Sequence, residues 1–144
     1  MLNPQLKTIF IDGVFCELKD FQNTLKRISE DFSEDDKNIG CIVVLWDSPL
    51  LEVARNYSEL TNIKLRVIYE RQDLYGNSAK DIAIDESCDK SDIIVCLYEF
   101  EIDSSLMISY YQKLSIIKGL IYYKIDLFDV ENPKRFSSFK GNFS

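Results

Sequence analysis

The sequence predicts a doubly wound α/β domain: a three-layer α/β/α sandwich with a mainly parallel five-stranded sheet. Three observations lead there. Five short apolar runs alternate with polar stretches of helical period, in the order βαβαβαβαβ. Most of these runs are continuous Val, Ile, Leu and aromatic residues rather than strict alternations. That is the pattern of strands covered on both faces by crossover helices. The 144 residues, 46% hydrophobic with three prolines and five glycines, fit one globular domain able to bury a core.

The first strand is KTIFI, Lys7 to Ile11. A helix follows, because Leu18, Phe21, Leu25, Ile28 and Phe32 are spaced 3, 4, 3 and 4 apart and make one apolar stripe. Glu30 to Asp36 (EDFSEDD) is an acidic, solvated connection. The second strand is CIVVLW, Cys41 to Trp46. Ser48 then offers an N-cap and Pro49 a first helical position, with Leu50, Ala54, Tyr57 and Leu60 facing inward. The third strand is KLRVIY, Lys64 to Tyr69, and Asn77 or Ser78 caps a shorter helix carrying Ala79, Ile82 and Ala83. The fourth strand is DIIVCLY, Asp92 to Tyr98. Asp103, Ser104 or Ser105 caps a fourth long helix whose core stripe is Met107, Tyr110, Tyr111, Leu114 and Ile117. The fifth strand is GLIYYKI, Gly119 to Ile125. With right-handed crossovers this order makes the fold Rossmann-like. Periodicity is lost from Asp126 onward, so the domain 1–144 ends in a C-terminal extension at about 126–144. There Phe136, Phe139 and Phe143, beside Lys134, Arg135 and Lys140, pack on the domain or meet a partner.

Composition narrows the chemistry. The chain has no histidine, which removes Ser-His-Asp and Cys-His nucleophilic catalysis and histidine metal sites. Lys and Arg total 17 against 24 Asp and Glu, a formal charge of −7, which repels duplex nucleic acid. Cys16, Cys41, Cys88 and Cys96 show no C-x-x-C spacing, and Cys41 and Cys96 lie in strand runs as buried small hydrophobes. No disulfide framework and no metal site are expected, nor any cofactor. No apolar run reaches the roughly 18 residues of a membrane span, and the N-terminus carries no signal-peptide pattern. A cytoplasmic protein without a membrane partner is the expectation.

In an open parallel sheet, ligands bind outside the carboxyl ends of the strands, near the point where strand order reverses. That rule selects Asp12 and Gly13 after strand one, where glycine permits close backbone approach or positive φ. It selects Asp47 and Ser48 after strand two, and Tyr75, Gly76 and Asn77 after strand three. After strand four it selects Glu99, Glu101, Asp103, Ser104 and Ser105. Ser48 and Ser104/Ser105 open helices, whose free N–H groups hold anions. Asp12, Asp47, Glu99 and Asp103 converge on one rim in this scheme, and paired carboxylates serve glycosidic chemistry. Neither G-x-G-x-x-G nor G-x-x-x-x-G-K-[ST] is present, which disfavours a triphosphatase or dinucleotide oxidoreductase.

Several of these pieces together resemble the SLOG superfamily and the related nucleoside 2-deoxyribosyltransferases, over roughly residues 7–125. They are I-D-G after the first strand, Y-G-N-S-A at Tyr75 to Ala79, S-D-I-I-V-C-L-Y at Ser91 to Tyr98, and D-S-S-L-M-I at Asp103 to Ile108. A TIR-like resemblance rests on D-I-I-V and the serines after it, but leaves the β-α unit between Ile39 and Tyr69 unaccounted for. The SLOG resemblance implies a Rossmann-like fold and a nucleotide- or nucleoside-derived ligand. This chain departs from that pattern at the working positions. Phe15 stands near the place of an arginine, and Trp46-Asp47-Ser48-Pro49 near that of a glycine-rich turn. Ala83 and Ile84 replace an Arg-Asn pair, Ser104-Ser105 replaces a phosphate-binding Gly-Thr, and Ser109 takes the place of the nucleophilic glutamate.

Losing one transition-state group costs about 10² to 10⁴ in rate, so these replacements together argue against the family reaction. The expected function is a non-catalytic SLOG-like domain that binds a nucleotide- or nucleoside-derived ligand through Gly13, Asp47, Ser48, Tyr75, Gly76, Asn77, Ser104 and Ser105. One alternative is an active N-glycosidic hydrolase or deoxyribosyltransferase-like enzyme using Asp12, Glu99 or Asp103. Another is an acidic scaffold that binds or inhibits a protein partner. A homo-oligomer is compatible with each.

Overall fold

The computed structural model describes residues 6–31, 39–99, 105–127 and 134–137. The strands are β1 (Lys7–Gly13), β2 (Ile39–Leu45), β3 (Lys64–Ile68), β4 (Ile93–Tyr98), β5 (Ile121–Asp126) and β6 (Lys134–Ser137). The helices are α1 (Leu18–Glu30), α2 (Leu51–Thr61), a single turn α3 (Gln72–Tyr75), α4 (Ala79–Asp89) and α5 (Ser105–Lys118). The sheet order is β3-β2-β1-β4-β5-β6, parallel from β1 through β5. The chain starts in the middle, steps outward to β3, then returns to lay β4 beside β1. Strand order therefore reverses between β1 and β4, where a doubly wound sheet opens a crevice.

Alternation along each strand separates two cores. Ile9 and Ile11 of β1 face α1 and α2, joining Phe21, Leu25, Ile28, Val53 and Ala54. Phe10 faces the opposite way and meets Ala83, Ile84 and Cys88 of α4 and Tyr111 of α5. All three β1 residues have no solvent exposure, as the unbroken apolar run requires. Edge-on ring pairs lock each layer: Phe21 with Tyr57 at 5.3 Å and Phe10 with Tyr111 at 5.7 Å between centroids. Tyr122 and Tyr123 are fully buried in β5 yet keep their hydroxyls satisfied. Tyr122 donates to the Ile108 carbonyl at 3.0 Å and Tyr123 to the Asp31 carboxylate at 2.7 Å.

The five expected parallel strands are all present. The sixth strand, Lys134–Ser137, is antiparallel to β5 and falls in the stretch expected to lack periodicity. Four residues beginning Lys-Arg give no alternation to detect, and shortness and charge are usual for a strand at a sheet edge. β1 runs on to Gly13 rather than stopping at Ile11, because Asp12 and Gly13 pair with Cys96 and Leu97 of β4.

Three helix faces differ from expectation. In α2 the inward residues are Val53, Ala54 and Tyr57, preceded by Leu50, while Leu60 is exposed just before the left-handed Asn62 closes the helix. In α4 the buried face is Ala79, Ala83, Ile84, Ser87 and Cys88, and Ile82 turns outward. Its small residues let the helix pack close, and the Ser87 hydroxyl is satisfied by the Ala83 carbonyl at 2.8 Å. In α5 Tyr111 and Ser115 are buried, whereas Tyr110 and Ile117 are exposed. A helix apolar around most of its circumference carries no stripe that marks its inner face. Phe32, the Glu30–Asp36 connection beyond Asp31, and Phe139, Lys140 and Phe143 lie outside the described residues.

Candidate functional site

Above the carboxyl ends of β1 and β2, between α4 and α5, lies an open cleft of about 440 Å³. Its floor is Asp12, Gly13 and Ser48, and its walls include Asp47, Pro49, Lys80, Ile84, Met107 and Tyr110. The position follows from topology, since the strands end here and the crossover helices diverge.

Asp12 is the last side chain of β1 before the glycine, and it is half-buried. Both of its oxygens accept hydrogen bonds. The Ser48 hydroxyl donates to Oδ1 at 3.0 Å and the Tyr111 phenol to Oδ2 at 2.5 Å. Ser48 also accepts the Leu50 N–H at 3.1 Å, as an N-cap serine does for the second helical residue. The Leu51 N–H bonds the Ser48 carbonyl at 3.2 Å, a tight first turn that starts α2 in effect at Pro49. Burial, and then the Asp12 carboxylate, push the Tyr111 phenol far above its ordinary value, so it remains a proton donor.

Gly13 is shaped by its neighbour strand. Its φ is +136°, and a Cβ there would stand 2.1 Å from the Leu97 carbonyl oxygen. The next residue, Val14, donates its N–H to that same oxygen at 3.0 Å. Only glycine lets β1 and β4 approach this closely at the crevice.

A second charged group sits at the rim. Lys80 Nζ donates to both Asp47 oxygens at 2.8 and 3.0 Å and lies 3.9 Å from Glu70. Burial pushes the Asp47 carboxyl up, but Lys80 and the Glu70 carboxyl more than offset it, leaving Asp47 below the usual carboxylate value. Glu70 moves the other way, raised by the Asp47 carboxyl beside it and then by burial. The two acids share one cation, so the second to ionise does so against the charge of the first.

Of the residues selected by the strand-end rule, the structure brings Asp12, Gly13, Asp47 and Ser48 together in the cleft. Tyr75, Gly76 and Asn77 lie on the exposed connection into α4 and do not line it. Glu99 follows β4, half-buried, and does not line it either. Ser105 begins α5, while Glu101, Asp103 and Ser104 lie outside the described residues. Sequence reasoning missed Lys80, Ile84, Met107 and Tyr110 as cleft residues, and placed Tyr111 only in the core. The available signal was spacing: Lys80 and Ile84, like Met107 and Tyr111, are four apart in the opening turns of helices that follow strand ends.

Trp46 and Tyr69, each just beyond the end of β2 or β3, stack at 5.3 Å and are both more than half exposed, outside the cleft. Among the described residues, no three His, Cys, Asp or Glu side chains are grouped to hold a metal, and no helix is long and apolar enough to cross a membrane. The four cysteines are unpaired, with Cys16, Cys88 and Cys96 buried.

Comparison with known proteins finds no matching family model, no matching curated protein and no matching solved structure.

Proposed function

We propose that this chain is a non-catalytic binding domain whose strand-end cleft takes an uncharged, nucleoside-derived small molecule. The observation that carries the reading is Asp12, held on both oxygens by Ser48 and Tyr111 at the floor of the cleft. A carboxylate fixed in this way is a ready acceptor for sugar hydroxyls. Tyr110, Met107 and Ile84 supply an apolar wall suited to a base, and the volume of about 440 Å³ falls within the usual range for small-ligand sites. The SLOG-like motif order points to the same ligand class.

Charge separates nucleoside from nucleotide. Lys80 is the one cation lining the cleft among the described residues, and Asp47 already occupies it. A phosphate dianion placed here would face Asp12 and Asp47 without a free cation. The same bonds argue against turnover. Asp12 is engaged on both oxygens by Ser48 and Tyr111, and Lys80 holds the Asp47 carboxyl below its usual value, so Asp47 is no protonated general acid near neutral pH.

The test is a thermal-shift and calorimetric panel of nucleosides and their monophosphates. A bound nucleoside at about one hundred times Kd adds roughly 2.7 kcal/mol, a rise of several degrees in Tm for a domain of this size. The rise should vanish in Tyr110→Ala and shrink in Asp12→Asn. No shift with any nucleoside at millimolar concentration overturns the reading. Release of free base, lost in Asp12→Asn, replaces it with the N-glycosidic one.

A further inference from the structure

The opposite end of the sheet carries a second, chemically distinct groove. The parallel register sets Thr8, Cys41 and Lys64 in one row across β1, β2 and β3, with Phe10, Val43 and Arg66 in the next row on the same face. Lys90, at the end of α4, comes down over these rows, because the Asp92 N–H bonds the Thr8 carbonyl at 2.9 Å. Thr8, Cys41, Val43, Lys64, Arg66 and Lys90 enclose a groove of about 190 Å³.

Three cations around one small groove are unexpected in a chain of charge −7. Elsewhere Arg27, Arg55, Arg71, Lys80 and Lys118 pair with acids, while other lysines without an ion pair among the described residues, such as Lys19 and Lys113, do not line this groove. Lys64, Arg66 and Lys90 have no ion pair among the described residues. Two acids of α4 are held by another cation, since Lys118 takes Asp85 at 2.6 Å and Asp89 at 2.7 Å. Glu86, one turn back, is exposed, and Asp92 accepts the Thr8 N–H at 2.9 Å. The carbonyls ending α4 are partly satisfied by the Lys90 and Ser91 N–H groups, so its negative pole is blunted.

We propose that this groove binds a phosphoryl group, as inorganic phosphate or the phosphate end of a small ester, held by Lys64, Arg66 and Lys90 with the Thr8 hydroxyl as a further donor. The guanidinium offers a two-pronged contact and the ammonium groups supply point charge. A groove below the roughly 300 Å³ of sites that engulf whole ligands suits a head group. This site is independent of the cleft, and neither proposal needs the other.

Cys41 is a reporter already in place. It lines the groove and is only half-buried, whereas the other three thiols are buried and pushed up to about 12. Burial raises the Cys41 thiol while Arg66 and Lys64 oppose the rise. A bound anion would cancel that opposition and block access, so alkylation must slow.

The experiment measures iodoacetamide labelling of Cys41 in the full chain at constant ionic strength, with sodium chloride exchanged for inorganic phosphate or glycerol phosphate. The expected result is saturable protection of at least fivefold, lost in Arg66→Gln and in the exposed Lys90→Gln, and retained in Lys113→Gln. Stronger protection by the ester assigns the ester, and equal protection assigns the free ion. Phosphate that protects no better than chloride, or protection unchanged in both groove variants, overturns the proposal.

Discussion

One hydroxyl and one phenol organise the cleft floor. Ser48 joins the end of β1 to the start of α2 by donating to Asp12 while accepting the Leu50 N–H. Ser48→Ala removes both bonds and should cost about 1–2 kcal/mol. Tyr111→Phe leaves one half-buried carboxylate oxygen without its donor and should cost about 1–3 kcal/mol. Urea denaturation checks both, with lowered midpoints and unchanged slopes. The glycines give a sharper contrast. Gly13→Ala meets the Leu97 carbonyl at φ +136° and should cost at least about 3 kcal/mol. Gly76→Ala, at φ +54° with nothing within 4 Å, should cost about 1 kcal/mol. The rim carboxylates titrate in opposite senses. Asp47, lowered from 3.8, favours the fold above that value and loses its contribution as pH falls through its folded value. Glu70, raised from 4.5, favours the fold when protonated and loses its contribution as pH rises through its folded value. Lys80 lowers both, so carboxyl NMR titrations of Lys80→Gln should show both midpoints moved upward.

Elements were legible in the sequence where burial leaves a continuous mark. Val43, Val44, Val95 and Cys96 are covered on both sides, so their strands read as unbroken apolar runs. Asp12, Asp47 and Ser48 were legible as residues of the cleft because strand ends locate them without reference to any helix face. Lys80 and Tyr110 were not, because their contribution depends on how α4 and α5 rotate. Those rotations are set by Ala79, Ala83, Ser87 and Ser115, small buried residues that a search for large apolar stripes passes over. The same residues distinguish the two faces experimentally. Ala83→Leu overpacks the α4 seam and should cost about 1–3 kcal/mol. Ile117→Ser, at a position 78% exposed, should change stability by less than about 0.5 kcal/mol. Equal losses in the two variants would mean that the helices are rotated from the orientations described.

At the scale of the molecule, the parallel sheet has two chemically unlike ends. Its carboxyl end carries an acid-floored cleft with its cation already paired, and its amino end carries Lys64, Arg66 and Lys90, which have no ion pair among the described residues. The parallel strands β1 to β5 produce this polarity directly, because each contributes its first residues to one end and its last to the other. The most direct test of the central claim is an amide NMR titration of the full chain with a series of uncharged nucleosides. The account predicts saturable shifts centred on Asp12, Ser48, Lys80 and Tyr110, with the matching monophosphate binding the cleft more weakly. Monophosphates binding that cleft more tightly than their nucleosides, or no nucleoside moving those amides at millimolar concentration, would contradict it.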